Sequence, residues 1–260
     1  MRIARYTTSE GTPSYGLVEG GEGAEVIAEV TGDPLYRPPV PTGVRHRLDE
    51  VRLLAPVIPR SKVVCVGRNY AEHAAELGGT VSPEPVIFLK PNTAVIGPGD
   101  GIVYPPQTRD LHYEGELAVV IGRIARDVPA ARVGEVVLGY TVANDVTARD
   151  LQNRDGQWTR AKSFDTFCPL GPWIVTDVDP ADLALTTRLQ GRVVQQARTA
   201  EMVHPVTELV TFISSVMTLL PGDVILTGTP AGVGPMQVGD EVSVTIEGIG
   251  TLTNTVVRRG

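Results

Sequence analysis

Short apolar runs recur along this chain between glycine- and proline-containing turns, and they constrain its fold more than any other feature. From residue 51 onward the runs cover residues 62–66, 86–89, 117–121, 173–176 and 224–227. Each run has the length of a buried strand and is short for a helix. The 28 glycines and 21 prolines provide many turn signals, which favour strands over a helical bundle. The sequence therefore predicts a β-rich α+β fold.

The end of the chain carries a hairpin pattern. Residues 241–246 alternate polar and apolar side chains, residues 247–250 contain two glycines, and the alternation resumes over residues 251–256. This pattern is typical of two antiparallel strands with one face in water. Because strands outnumber helices and do not alternate with them regularly, an α+β arrangement is favoured over a doubly wound one.

Three segments have helical patterns. The clearest has Pro205 in its first turn and apolar residues at helical spacing up to Leu220, where a Pro-Gly pair ends it. A shorter helix is predicted over residues 70–77. A third is predicted to begin near Thr147, because Thr147 and Asp150 resemble the capping box of a helix N-terminus with Asp in place of Glu.

Residues 1–50 differ from the rest of the chain. They are rich in glycine and proline and hold only short apolar runs, too few for an independent core. We therefore expect a small N-terminal appendage over residues 1–50 and one main domain over residues 51–260. Cys65 and Cys168 are far apart and form no CxxC motif, which predicts buried free thiols in a reducing compartment.

The charge balance excludes two classes of partner. The chain has 23 Lys and Arg residues against 30 Asp and Glu residues, a net charge of −7. It therefore lacks the positive field that binds nucleic acid or an anionic membrane. The first residues lack the apolar region of a signal peptide, and no stretch has the roughly 20 apolar residues that span a bilayer. We expect a cytoplasmic protein.

Segment 111–121 places acidic residues next to a buried strand. If the segment is one strand, its period of two puts His112, Glu114 and Glu116 on one face, just before the apolar run. Carboxylates there are costly to bury unless they are paired or bound to a metal. For these two glutamates alone, a strand end that faces water would be the simpler explanation.

A second acidic element changes that balance. An apolar strand beginning near residue 138 ends at Asn144-Asp145, and strand ends are common positions for ligands. Asp145 alone would be explained as an ordinary helix cap. Together, however, Glu114, Glu116 and Asp145 offer only oxygen ligands, which suit Mg²⁺ or Mn²⁺ better than zinc. We predict one divalent cation per chain at these residues.

His73 and Glu76 form a candidate acid–base pair on the predicted short helix. They are three residues apart, so the carboxylate can orient the imidazole and support its positive charge as it takes a proton from water. The alternative is a salt link on a solvated helix face.

Several basic side chains in the sequence indicate that the substrate is an anion. Lys90 and Lys162 each lie in largely apolar sequence, which is unusual for lysine, and an anionic ligand would explain both. Arg149 and Gln152 share one face of the helix that follows Asp145. A surface position would also account for Arg149.

Six motifs, in order along the chain, resemble those of the fumarylacetoacetate hydrolase family. They are Cys65-Val-Gly-Arg-Asn-Tyr70, Phe88-Leu-Lys-Pro91, His112-Tyr-Glu-Gly-Glu116, Asp145-Val-Thr-Ala-Arg-Asp-Leu-Gln152, Ala161-Lys-Ser-Phe164 and Leu226-Thr-Gly-Thr-Pro-Ala-Gly-Val-Gly234. The chain from residue 51 onward is similar to the acylpyruvase and oxaloacetate decarboxylase branch and to the hydroxyheptadienedioate isomerases. The resemblance implies a mixed β-sandwich roll, a divalent metal and a homodimer.

The resemblance also implies a role for each matching residue. The implied roles are metal ligands for Glu114, Glu116 and Asp145, a catalytic dyad on a lid-like helix for His73 and Glu76, a catalytic lysine near the metal for Lys162, and substrate-binding positions for Arg68, Lys90, Gln152 and Thr229. His112 is implied, at most, to support the ligands from outside.

The expected activity is hydrolysis of a carbon–carbon bond in a 2,4-dioxo acid of the acylpyruvate type. The substrate would be a small anion, and the products would be pyruvate and a carboxylic acid. Decarboxylation of oxaloacetate-like acids, or isomerisation of 2-hydroxyhepta-2,4-diene-1,7-dioate, would use the same metal and stays open. A more remote alternative is a non-catalytic protein that binds small acids.

Overall fold

The computed structural model of the chain describes residues 1–9, 11–21, 23–76 and 78–258. The α-helices there are α1 (Ala71–Glu76), α2 (Val133–Val136), α3 (Arg149–Asp155), α4 (Thr159–Lys162) and α5 (Val206–Val216). The strands are β1 (Arg2–Thr7), β2 (Pro13–Glu19), β3 (Val26–Thr31), β4 (Val40–Arg47), β5 (Arg52–Leu54), β6 (Val63–Gly67), β7 (Val86–Lys90), β8 (Val95–Ile96), β9 (Gly101–Tyr104), β10 (Leu111–Tyr113), β11 (Gly115–Ile121), β12 (Val137–Asn144), β13 (Thr147–Ala148), β14 (Cys168–Val175), β15 (Ala184–Leu189), β16 (Arg192–Arg198), β17 (Val224–Leu226), β18 (Gly234–Met236), β19 (Glu241–Ile246) and β20 (Gly250–Arg258). The predicted β-rich fold is confirmed.

The largest sheet has β11 near its centre. Its strand order is β4-β3-β2-β1-β14-β12-β11-β17-β6-β7, with β5 beside β1 and β8 beside β14. Leu117 and Val119 of β11 pack into a core that includes α5, whereas Ala118 packs on the other side with Cys65 and Cys168. Both faces of β11 are buried, which explains why its sequence is a continuous apolar run. Both cysteines are buried and free, as predicted.

Two smaller sheets complete the fold. One has the order β16-β15-β19-β20-β9, and the other the order β13-β10-β18. The hairpin predicted from sequence alternation is β19–β20, and its inward residues Val244, Ile246 and Leu252 join the same core as Leu117. The hairpin prediction is therefore confirmed.

The acidic segment is two strands, so the prediction of one continuous strand was wrong. β10 and β11 lie in different sheets, and the regular strand conformation is interrupted between them at Glu114. At the break, the Glu114 N–H donates to the side-chain oxygen of Asn144 at 2.9 Å, and the Glu114 carbonyl accepts from the Asp145 N–H at 2.8 Å. These bonds hold Glu114 beside the end of β12.

The capping box predicted at Thr147 was also wrong. Thr147 lies in β13, where its hydroxyl donates to the Asp145 carbonyl at 2.8 Å, and α3 begins two residues later. The Asp150 carboxylate instead accepts a hydrogen bond from the Thr108 hydroxyl. The segment after Asp145 is therefore a short strand before it becomes a helix.

The helix predicted after Pro205 is shorter than expected. α5 begins after Pro205 as predicted but ends at Val216, because the chain then becomes extended and Leu219 forms a β-bridge with Ala125. α1 lies within the predicted residues 70–77, and Leu77 lies outside the described residues.

The N-terminal strands extend the largest sheet. β1 pairs antiparallel with β14, and β2, β3 and β4 follow outward from it. Burial is limited along β4, which forms the outer edge. The boundary near residue 50 stays a prediction. In the part of the chain that the structure describes, no helix has the length and apolar character needed to cross a membrane.

Candidate active site

The three predicted metal ligands meet where β10, β11 and β12 end or begin. Gly115 pairs with Asn144, and Glu116 with Ala143, which brings Glu114 and Glu116 next to Asp145. One carboxylate oxygen of each of the three acids lies within 4.8 Å of the others, and all three side chains are buried. Such a group of oxygens matches the ligand preference of a hard divalent cation.

Glu116 is the strongest sign that the site fits a cation. Its Oε2 accepts from the Gly228 N–H at 2.6 Å, and no described residue forms an ion pair with it. Burial, together with the negative charges of Asp145 and Glu114, raises the pKa of Glu116 well above its usual value. A bound cation would remove this unfavourable crowding of negative charge.

Gly228 can provide that hydrogen bond because it has no side chain. Its φ is +100°, and a Cβ there would lie 2.7 Å from the Cβ of Asn69. Asn69 is fixed by the hydrogen bonds that its amide donates to the carbonyls of His204 and Thr227. The backbone N–H that faces Glu116 is thus rigidly placed.

Lys162 and Arg149 neutralise Glu114. Lys162 Nζ lies 2.8 Å from Glu114 Oε2 and 2.6 Å from Asp145 Oδ2, and Arg149 Nη2 donates to Glu114 Oε1. Burial disfavours the Glu114 carboxylate, but the charges of Lys162 and Arg149 prevail and hold its pKa well below its usual value. Glu114 is therefore ionised and available as a ligand at neutral pH.

Lys90 does not line the cavity that holds these residues. Its Nζ lies 2.7 Å from Asp145 Oδ1. The ammonium also donates to three backbone carbonyls, those of Val146, Lys162 and Phe167, at 3.1, 2.5 and 2.8 Å. An ammonium has three N–H donors, so the three carbonyls use all of them. The structure thus places Lys90 behind Asp145 and outside the cavity lining, where its positive charge faces the carboxylate without a hydrogen bond to Oδ1. Its role in substrate binding stays a prediction.

The predicted dyad lies on α1. His73 is buried, and its Nδ1 lies 3.1 Å from Glu76 Oε2. Glu76 also accepts from the Gly232 N–H, at 3.1 Å to Oε1, which ties α1 to the loop after β17. With Nδ1 held by Glu76, His73 has its other ring nitrogen, Nε2, for proton transfer.

One cavity of about 390 Å³ joins the acids, the dyad and the cations. Of the predicted site residues, only Lys90 is missing from its lining, which consists of Val66, Gly67, Arg68, His73, Glu76, Phe88, Glu114, Glu116, Asp145, Arg149, Gln152, Asn153, Trp158, Lys162 and Thr229. His112 also lies outside it, with Nε2 at 2.9 Å from Asp110. The volume is within the range of small-molecule sites.

Some residues of the site were not predicted. The sequence indicated only that Arg149 shares a helix face with Gln152. In the structure, Arg149 Nη1 donates a hydrogen bond to the side-chain oxygen of Gln152 at 2.5 Å. The side-chain oxygen of Asn144 accepts a hydrogen bond from the Glu114 N–H and so positions Glu114. The place of Asn144 next to Asp145 in the sequence was the one signal that could have indicated this role. Trp158 forms a wall of the cavity with Phe88, ring centroids 5.3 Å apart and edge to face. Nothing in the local sequence marked Trp158.

The fold and the site define a strand-rich protein with a buried group of three carboxylates whose geometry could hold a metal ion. Residues 62–257 match the family described as fumarylacetoacetate (FAA) hydrolase C-terminal, and residues 1–56 match the family described as Rv2993c-like, N-terminal. The chain belongs to the fumarylacetoacetate hydrolase family. This confirms the resemblance found in the motifs.

Related proteins agree with this assignment. Protein Rv2993c of Mycobacterium tuberculosis is 57% identical over 265 residues, which cover 100% of this chain and 99% of that protein. The crystal structure of 5-carboxymethyl-2-hydroxymuconate delta-isomerase from Mycobacterium smegmatis shares 54% identity at a TM-score of 0.92, with both chains covered completely. Fumarylpyruvate hydrolase from Pseudomonas aeruginosa, in complex with Mn²⁺ and pyruvate, shares 36% identity at a TM-score of 0.73, over 80% of this chain and 100% of that one. Family members thus include both isomerases and hydrolases.

Proposed function

We propose that this chain hydrolyses a carbon–carbon bond in a 2,4-dioxo acid of the acylpyruvate type, giving pyruvate and a carboxylic acid. The observation that carries the proposal is that the His73–Glu76 pair and the three buried carboxylates line the same cavity. A general base beside a cation site has the two components that water attack on a polarised carbonyl requires.

The cation would be one Mg²⁺ or Mn²⁺ per chain, held by Glu114, Glu116 and Asp145. When bound, it would supply a Lewis acid for the carboxylate and 2-oxo oxygens of the substrate. The Mn²⁺ and pyruvate in the Pseudomonas aeruginosa hydrolase support both the metal class and the kind of acid.

The chain's own residues account for the proton transfers. His73 Nε2 takes a proton from water, whose oxygen adds to the 4-carbonyl, while Glu76 stabilises the imidazolium through Nδ1. The bond between carbons 3 and 4 then breaks, and its electron pair becomes the enolate of pyruvate. The ammonium of Lys162 stabilises that negative charge, and His73 returns the proton to carbon 3.

Isomerisation is the second candidate, and the similarity to the Mycobacterium smegmatis isomerase favours it. In that keto–enol reaction His73 would take the proton of the 2-hydroxyl group and deliver a proton to a carbon of the conjugated chain, without water attack. Decarboxylation of an oxaloacetate-like acid would need the same stabilisation of negative charge. A non-catalytic role is the least supported, since both the acids and the dyad are present in one cavity.

A parallel assay would distinguish these reactions. Acetylpyruvate, oxaloacetate and 2-hydroxyhepta-2,4-diene-1,7-dioate would be incubated with the protein and Mg²⁺ or Mn²⁺, and the products identified. Cleavage of acetylpyruvate to pyruvate and acetate would support the proposal. Turnover of only the dioate or only oxaloacetate would replace it with isomerisation or decarboxylation.

Metal dependence needs a separate measurement. A ligand that binds only the native state raises the unfolding temperature by mass action. We expect Mg²⁺ or Mn²⁺ to raise the midpoint and EDTA to reverse the effect. Absence of any response would favour a metal-free binding protein.

We also propose, by family analogy, that the chain forms a homodimer. Light scattering at micromolar concentration would test this, and a monomeric mass would contradict it.

A further inference from the structure

His204 lies on the segment before α5 and contacts the turn that leads into α1. Its carbonyl oxygen accepts a hydrogen bond from the side-chain amide of Asn69 at 2.9 Å, and its N–H donates to the side-chain oxygen of Asn69 at 2.8 Å. Tyr70, the next residue of the turn, forms a β-bridge with Met202. The segment before α5 therefore holds the start of α1, the helix that carries the acid–base pair.

The imidazole of His204 reaches the loop that follows α1. Its Nε2 lies 3.1 Å from the Ser82 carbonyl oxygen, and its Nδ1 lies 2.7 Å from Glu208 Oε1 on α5. The ring is buried, whereas half of the Glu208 side chain is exposed. Within the described ranges, Glu208 is the one charged group that pairs with the ring, and Asn69, which contacts it from the turn before α1, is uncharged. Both ring nitrogens thus face hydrogen-bond acceptors.

Only a protonated ring satisfies both of these acceptors. A neutral imidazole has one N–H, whereas an imidazolium has two. A carboxylate accepts a stronger hydrogen bond than a carbonyl does, so the proton that stays on a neutral ring belongs on Nδ1, facing Glu208. Loss of the other proton would leave the lone pair of Nε2 facing the Ser82 carbonyl oxygen, which would then lack its donor.

We propose that His204 is a positioning residue whose protonated ring ties the loop after α1 to α5, so that the placement of α1 depends on pH. Histidine ordinarily changes its charge between about pH 5 and pH 8. The tether, the hydrogen bond from His204 to Ser82, would hold at the acid end of this range and weaken at the alkaline end. The tether itself is independent of the proposed function. Its effect on catalysis rests on that function, because it takes His73 on α1 to be the base.

Amide hydrogen exchange tests the tether without turnover. The N–H groups of Gly78 and Gly79 donate to the carbonyls of Ala75 and Ala74 at 2.9 Å, so their protection reports on the end of α1. After correction for the intrinsic effect of pH on exchange, their protection factors should fall about 2- to 10-fold from pH 5.5 to pH 8, as expected for the loss of one hydrogen bond. The N–H of Ile249, in the turn between β19 and β20, is the internal reference and should keep its protection. Unchanged protection of both glycines would overturn the inference.

Two variants assign the effect to His204. Glu208→Gln presents an amide that can donate to Nδ1, so a neutral ring can keep its proton on Nε2 and its hydrogen bond to Ser82. This variant should therefore retain at about pH 8 the protection that it has at about pH 5.5. His204→Phe fills a similar space without donors and should show the lower protection at both pH values.

A matched control and the contrary outcome complete the test. Glu135→Gln removes an exposed carboxylate on α2 and should show the same pH dependence as the wild type. A fall in Glu208→Gln equal to that of the wild type would assign the pH dependence to another group and overturn the inference. If His204→Phe does not fold, the Glu208→Gln result decides.

Turnover separates the tether from its effect on catalysis. Where acetylpyruvate is cleaved, Glu208→Gln should have a kcat about 2- to 10-fold above that of the wild type at pH 8 and an equal kcat at pH 5.5. Equal values at both pH values would overturn the link between the tether and the acid–base pair. Absence of any cleavage would refute the proposed hydrolysis and leave the exchange result intact.

Discussion

Replacing Lys90 with methionine should destabilise the protein, even though Lys90 lies outside the cavity lining. Methionine has a similar length and can occupy the same space, but it carries no charge and no N–H donors. The variant would leave Asp145 Oδ1 and three carbonyl oxygens without the ammonium that now contacts them. An ionised carboxylate buried without its partner is among the costliest defects in a core.

The magnitude follows from the contacts that remain. Removing one partner of a buried ion pair costs about 3–5 kcal/mol. Because Lys162 still contacts the other oxygen of Asp145 at 2.6 Å, we expect a loss near the lower limit, about 3 kcal/mol. For a chain of this size each kcal/mol lowers the unfolding midpoint by about 2–4 °C, so Lys90→Met should unfold roughly 6–12 °C below the wild type.

Calorimetry in EDTA measures this effect without a contribution from bound metal. Arg68→Met is the matched control, because it removes a cavity cation that has no protein partner within the described ranges, and its midpoint should not fall comparably. Adding Asp145→Asn to Lys90→Met removes the unpaired charge and should cost less than the sum of the two single changes. A Lys90→Met midpoint within 2 °C of the wild type, or strict additivity, would refute the assignment of Lys90 as the partner of Asp145.

Three further changes test the site and the fold. His73→Ala should retain the metal-induced rise in unfolding temperature but lose about 10²–10⁴-fold in turnover, since it removes the general base; wild-type turnover would show the base to be another group. Glu116→Gln should weaken that metal-induced rise, because one ligand loses its charge, and should stabilise the metal-free protein by removing repulsion; an undiminished response to Mg²⁺ would exclude Glu116 as a ligand. At acid pH, Asp223 should contribute to unfolding. Burial alone would raise the pKa of Asp223, but hydrogen bonds from Lys62, the Leu220 N–H and Ser61 outweigh burial and lower that pKa. The unfolded chain therefore binds the proton more readily than the native protein. The stability that Asp223 contributes is lost as pH falls below about 4. Asp223→Asn should flatten the acid limb of the curve of stability against pH, and an unchanged acid limb would contradict this.

Local sequence was sufficient for the elements whose burial is uniform. The run 117–121 was identified as a buried strand because both of its faces pack into cores, and the hairpin β19–β20 was identified because one face does. The three acids also stood out in the sequence, since carboxylates beside apolar runs require a compensating partner. The i, i+3 spacing of His73 and Glu76 predicted the contact between them, which the structure contains. The pattern did not show the break at Glu114, because that break depends on hydrogen bonds to Asn144 and Asp145, about 30 residues away along the chain.

Only the tertiary structure distinguished the two lysines. Lys90 and Lys162 have similar apolar sequence surroundings, and both were expected to meet an anionic substrate. In the fold, Lys162 faces the cavity between Glu114 and Asp145, whereas Lys90 lies behind Asp145 with all its donors used. The N-terminal strands give a second example, since β1 finds its partner in β14, more than 160 residues further along. The sequence thus determined which side chains need a partner, because that depends on charge and local burial. Which partner each one has depends on pairings between distant segments, and those exist only once the sheets have formed.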